Sequence, residues 1–214
     1  MRAILFDFDG TIMDTEPAII ASYFHVFEVY RKREDFTPER QVEVLGPSLE
    51  TEMLKFFPEM DPQVCIQEYR NYQNEYIQNL VKPMAHAMEL LEWIKDQGYP
   101  AGVISTRLSD SLKHILGFTH MDQYVEITVG HDDVVNDKPD PEGINLAMKE
   151  LGCTSSIYVG DSTTDILAGK NAGSYTVAAM TKPEKEAALK ASNPDVCIYD
   201  LLELKQILKK LEGE

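Results

Sequence analysis

The sequence predicts a doubly wound α/β fold, built on a parallel sheet, with an all-helical subdomain inserted into it. Three observations carry that expectation. Short β-branched apolar runs recur along the chain, and most are apolar on both faces, as strands covered on both sides must be. Helical stretches alternate with them, which is the order of a parallel α/β sheet. About 95 residues separate the first run, ending near Phe6, from the second, near Ala101. A crossover helix fills only the last part of that gap, and structureless loops beyond about 15 residues are rare.

The elements follow in order. The first run, Ala3-Ile4-Leu5-Phe6, leads into Asp7-Phe8-Asp9-Gly10-Thr11. From Thr15 to Lys82 the chain reads as helix. Ala18-Ile19-Ile20, Tyr23-Phe24, Phe27 and Tyr30 keep helical spacing, and Leu54, Phe56-Phe57, Tyr69, Tyr72, Tyr76 and Leu80 supply further apolar faces. Residues 1–14 and 83–214 are therefore expected to form the core domain, and 15–82 an inserted subdomain with an aromatic core of its own. An insert beside a strand end is well located to act as a lid. Further strands are expected at Ala101–Ile104, Val125–Val129, Ile157–Val159, Thr176–Ala179 and Val196–Tyr199. Helices are expected at Met84–Asp96, Leu108–Leu116, Pro141–Leu151, Thr163–Ala172 and Leu201–Leu211. Gly98, Gly117, Gly152 and Gly173 stand where such helices would stop. Thr181-Lys182-Pro183 reads as loop, and Glu184 to Lys190 as a solvated helix.

Composition narrows the function. With 214 residues, 43% apolar and 26% charged, the chain can bury an ordinary core. Its formal net charge of −16 disfavours nucleic acid and anionic membranes as partners. The same field repels small anions, so a phosphate-bearing substrate needs local cations. No apolar run approaches the roughly 18 residues of a membrane span, and the few apolar residues before Asp7 are too short for a signal peptide. Cys65, Cys153 and Cys197 are an odd set without paired spacing, as expected of reduced thiols in a cytoplasmic protein. A monomer or weak homodimer is expected.

In open α/β sheets, ligands bind beyond the carboxyl ends of the strands. Asp7 and Asp9 follow the first strand, Ser105 and Thr106 the second, Lys138 lies in the loop after the third, and Asp161 and Asp165 follow the fourth. Carboxylates, a hydroxyl and an ammonium thus collect on one edge. Taken singly, each has a plain reading: a solvated turn, a loop lysine, or a helix cap from Asp161 or Ser162. A calcium loop is excluded, because it needs glycine at its sixth position and here Gly10 falls at the fourth. His131-Asp132-Asp133 lacks supporting histidines at metal-ligand spacing.

The set Asp7-Phe8-Asp9-Gly10-Thr11, Val103-Ile104-Ser105-Thr106, Lys138-Pro139-Asp140-Pro141 and Gly160-Asp161-Ser162-Thr163-Thr164-Asp165 resembles the haloacid dehalogenase superfamily of phosphohydrolases. The resemblance spans essentially the whole chain and implies a Rossmann-like core with a helical cap. It also implies a magnesium-dependent phosphatase that works through an aspartyl-phosphate. Asp7 would be the nucleophile and Asp9 the general acid and then base. Ser105 and Lys138 would hold the phosphoryl group, with Thr106 beside them and Gly10 allowing close backbone approach. The metal ligands would be the Asp7 carboxylate, the Asp9 backbone carbonyl and the Asp161 carboxylate, while Asp165 would hold a metal-bound water or orient Lys138.

Val44-Leu45-Gly46-Pro47-Ser48-Leu49-Glu50 resembles the cap segment of bacterial inorganic pyrophosphatases and phosphoglycolate phosphatases. Tyr69-Arg70-Asn71-Tyr72 and Ala168-Gly169-Lys170-Asn171-Ala172-Gly173 resemble the pyrophosphatase branch. Ser48 would meet an anionic substrate tail or cap a helix, and Arg40, Lys55 and Arg70 are further cations of this segment. The second motif departs from many relatives, which carry Asn where this chain has Thr106 and then Arg107. Arg107 either adds a phosphate contact or points to solvent, and solvent is the expectation. The rival readings are a phosphosugar mutase, which commonly has Glu-Asp at Gly160-Asp161, and a non-catalytic regulatory module, which usually lacks one of the acidic residues.

Overall fold

The computed structural model describes residues 1–45 and 49–213. It divides into two compact units, residues 1–14 with 83–214, and residues 15–82.

The first unit holds a six-stranded sheet. Its strands are β1 (Arg2–Phe6), β4 (Ala101–Ile104), β5 (Ile127–Val129), β6 (Ser155–Gly160), β7 (Tyr175–Ala179) and β8 (Val196–Ile198). The two short strands β2 (Met13–Asp14) and β3 (Lys82–Pro83) form a separate pair. In the large sheet the order is β5-β4-β1-β6-β7-β8 and every pairing is parallel. β1 is central, with Ala3 to Phe6 wholly buried. Ala3 and Leu5 face a cluster with Ile144, Ala147 and Ala168, from α7 (Glu142–Glu150) and α8 (Thr163–Asn171). A strand buried on both faces explains the unbroken apolar run at this point of the sequence, each buried Leu or Ile contributing roughly 1.5–3 kcal/mol.

Several boundaries differ from expectation. Helix α5 spans Ala87–Asp96 and starts three residues later than the apolar pattern does. The Met84 N–H is committed to the Ile12 carbonyl, and His86 takes a left-handed φ of 63°. Helix α6 (Ser109–Phe118) runs through Gly117 and does not stop there. The reversal falls at His120, at φ 58°, where Met121 N–H returns to the Leu116 carbonyl. The segment Glu186–Ala191, helix α9, is not simply solvated. Leu189 is buried against Ile166, Ala178 and Met180.

The second unit is helical: α1 (Glu16–Tyr30), α2 (Pro38–Glu43), α3 (Leu49–Phe56) and α4 (Pro62–Leu80). Its core is aromatic. Tyr23 packs edge-on to Tyr69 at 5.1 Å between ring centres, and Phe27 lies 5.0 Å from Phe57. Asp61 caps α4 by accepting from the Gln63 N–H at 2.9 Å, with Pro62 at the first helical position. Arg40 and Lys55 are engaged inside this unit, on the Asp35 carbonyl and the Glu43 carboxylate. Ser48 lies outside the described residues.

Candidate active site

The site is built on the carboxyl edge of β1, β4 and β6. Where β1 ends, the Asp7 N–H continues the ladder to the Val159 carbonyl at 2.8 Å, which fixes the carboxylate beyond the strand. The chain then folds back on itself, with the N–H groups of Thr11, Ile12 and Met13 all directed to the Phe8 carbonyl. Gly10 makes this turn at φ 84°, and a Cβ there would lie 2.6 Å from Asp161 Oδ2. Only glycine meets both demands.

Asp7 is buried and accepts from Lys138 Nζ at 2.5 Å and from Thr11 Oγ1 at 3.2 Å. The same Lys138 ammonium reaches Asp165 Oδ1 at 2.6 Å. Asp165 in turn sits in the first turn of α8, where its second oxygen accepts from the Ser162 N–H and hydroxyl in a reciprocal cap. One carboxylate thus both caps a helix and aims a lysine. Gly160 permits this packing, since a Cβ on it would fall 2.2 Å from the Asp165 Cβ.

Burial and the neighbouring Asp165 push the Asp7 carboxyl well above its ordinary range, with Lys138 opposing. Burial works against charge on Lys138, but the Asp165 and Asp7 carboxylates outweigh it and keep the ammonium charged. Burial likewise raises Asp161, against the pull of Lys185. A carboxylate oxygen from each of Asp7, Asp161 and Asp165 lies within 4.8 Å of the others. An all-oxygen set this compact fits a small hard dication, and the same cation would relieve the mutual repulsion of the buried carboxylates.

Asp9 stands apart from that cluster. Ser105 Oγ donates to Asp9 Oδ2 at 3.2 Å, and the Arg107 guanidinium reaches Asp9 Oδ1 through Nη2 at 2.7 Å and Nε at 3.2 Å. Arg107 therefore does not point to solvent. Its side chain is only 11% exposed, because it pairs with the Asp9 carboxylate while the Ser105 hydroxyl accepts the Arg107 backbone N–H to close the turn. Thr106 is exposed, beside Ser105 and Lys138 along one small cleft.

Sequence reasoning missed Lys185. Its ammonium lies 2.5 Å from Asp161 Oδ2. Nothing in the local pattern marks it, since it belongs to a short turn before α9 that reads as solvated. His131, Asp132 and Asp133 serve local structure: Asp132 and Asp133 accept from Ser109 at the start of α6, and His131 pairs with Asp137. In a chain of net charge −16, each site carboxylate faces a cation: Lys138 for Asp7 and Asp165, Arg107 for Asp9, Lys185 for Asp161.

Residues 4–179 match the family model of the haloacid dehalogenase-like hydrolases. Pyrophosphatase PpaX of Bacillus velezensis is 36% identical, over 97% of this chain and 96% of that protein. Its namesake from Bacillus pumilus is 32% identical over the same shares. A crystal structure of a haloacid dehalogenase-like hydrolase from Bacteroides fragilis superposes with a TM-score of 0.85 at 26% identity, covering 94% of this chain and 98% of that one. The chain belongs to the haloacid dehalogenase-like hydrolase family.

Proposed function

We propose that the protein is a cytoplasmic, magnesium-dependent phosphatase whose substrate is inorganic pyrophosphate, hydrolysed through an aspartyl-phosphate on Asp7. The observation that carries the chemistry is the buried Asp7 carboxylate, held on one oxygen by Lys138 and grouped with Asp161 and Asp165 within 4.8 Å. Pyrophosphate is favoured over phosphoglycolate and other small phosphate esters by the names and near-complete coverage of the Bacillus relatives.

In this reading an Asp7 oxygen attacks one phosphorus, and the bond from that phosphorus to the bridging oxygen breaks. Asp9 delivers a proton to the departing phosphate. Water then attacks the phosphorus of the aspartyl-phosphate, Asp9 takes its proton, and the second phosphate leaves with Asp7 restored. Ser105 and Lys138 bind the phosphoryl oxygens, and Lys138 balances charge on Asp7 throughout. Asp165 positions Lys138. Asp7, the Asp9 carbonyl and Asp161 would hold the magnesium ion, which supplies charge neutralisation for the transferring group. Gly10 and Thr106 border the phosphoryl position. Residues 15–82 would act as the substrate-selecting cap, with Ser48 as a contact for the substrate's far end.

A sugar-phosphate mutase is disfavoured by Gly160, since the backbone there has no room for a glutamate side chain beside Asp165. A non-catalytic role is disfavoured by the presence of all four aspartates. The test is phosphate release by purified protein with magnesium from pyrophosphate, phosphoglycolate, acetyl phosphate and p-nitrophenyl phosphate, compared by kcat/KM. Pyrophosphate is expected to lead, and chelation by EDTA to abolish turnover until magnesium is restored. A higher kcat/KM for phosphoglycolate would move the substrate, and no release from any of the four would remove the hydrolase reading.

A further inference from the structure

Lys185 has no place in the chemistry above, yet it makes the tightest polar contact to Asp161, at 2.5 Å from Oδ2. The same oxygen lies close to Gly10, where a Cβ would be 2.6 Å away. The Asp161 side chain is 3% exposed, so without a partner it would be a buried, uncompensated charge. Lys185 is unlike the other lysine of the site. Lys138 is 9% exposed and bridges two carboxylates, whereas Lys185 is 30% exposed, pairs with Asp161 alone among the described residues, and rises from the short turn Pro183–Lys185. A lysine on a flexible four-carbon stem can withdraw to water at small cost. An ammonium and a dication on the same carboxylate oxygen would repel each other strongly in a poorly solvated site.

We propose that Lys185 is the resident counter-cation of Asp161 and that metal binding displaces it, so that this residue sets the magnesium affinity. The inference rests on the reading of Asp161 as a metal ligand. Lys185 is then a positioning residue: it holds Asp161 in place while the site is metal-free and yields to the ion. Removing its charge removes a competitor from the ligand.

The experiment is calorimetric titration of magnesium chloride into metal-stripped protein, alongside thermal melting with and without the metal. Lys185→Met is expected to bind magnesium about tenfold more tightly than wild type, and to melt at a lower temperature when metal-free. Saturating magnesium is expected to erase the difference in melting. Lys185→Arg, which keeps the charge, is expected to stay within about threefold of wild type. Should Lys185→Met fail to fold, Lys185→Gln carries the same expectation. Unchanged or weaker magnesium binding in the neutral variants overturns the proposal while leaving Asp161 a ligand. Asp161→Asn separates the two readings: it is expected to weaken binding, and unchanged affinity there overturns the ligand assignment and the inference with it.

Discussion

Arg107 and Asp9, 98 residues apart in sequence, meet through the guanidinium, whose Nη2 donates to Oδ1 and whose Nε is shared between Oδ1 and Oδ2. The pair leaves Asp9 with a cation of its own and Asp7 with Lys138, so the two aspartates of the first motif are neutralised by different partners. The guanidinium also fixes the orientation of the Asp9 carboxylate and favours its ionised form, the form that takes the proton of the incoming water. Arg107→Met is expected to lower kcat by roughly tenfold or more, a part of the ~10²–10⁴ that general acid–base catalysis supplies. Arg107→Lys should recover only part of the loss, since an ammonium cannot reproduce the planar fork. Steady-state kinetics of the two variants decides it, and wild-type turnover in Arg107→Met would make the pair structural.

Asp7→Asn is expected to abolish turnover with the fold intact, as read by circular dichroism, because an amide cannot form the covalent intermediate. Asp9→Asn should slow both half-reactions by about 10²–10⁴-fold. Rapid-quench measurement of the phosphorylated enzyme separates the two: none should form in Asp7→Asn. If Asp9→Asn altered magnesium affinity alone, its proton role would be wrong.

Lys138 is the counter-ion of two buried carboxylates, Asp7 and Asp165. Lys138→Met strands both, and breaking a buried ion pair on one side costs about 3–5 kcal/mol. The urea midpoint of the metal-free variant should fall accordingly. Adding Asp165→Asn removes one stranded charge and should restore part of the stability without restoring activity. A midpoint unchanged in Lys138→Met would mean that the carboxylates find other partners.

Asp133 accepts from the Gly130 N–H and the Ser109 hydroxyl at the start of α6. Burial opposes its charge, but these two hydrogen bonds hold its carboxyl below the ordinary range. A depressed folded-state pKa means stability that is present above the unfolded pKa of about 3.9 and lost as pH falls through the folded value. Asp133→Asn should therefore melt earlier than wild type at pH 7, and the gap should close below about pH 4. A gap independent of pH would assign the effect to packing.

Alternation of strand and helix, the burial of the apolar first strand on both faces, and the sheet edge on which Asp7, Asp9, Ser105, Lys138, Asp161 and Asp165 collect were all legible in the sequence, whereas the central place of that strand was not. Those follow from local signals: apolar periodicity and the rule that residues after parallel strands share one edge. Helix ends were less legible, as Gly117 illustrates. A glycine can end a helix but need not, and here the reversal fell to His120, where the chain turns into the next segment. The destinations of the loop cations emerged only once the chain was folded. Arg107 and Lys185 both lie in segments that read as solvated, and long flexible side chains are aimed by the opposite charges that folding brings near them. The carboxylates they meet, Asp9 and Asp161, lie 98 and 24 residues away along the chain, on strand ends that become neighbours only when the sheet forms.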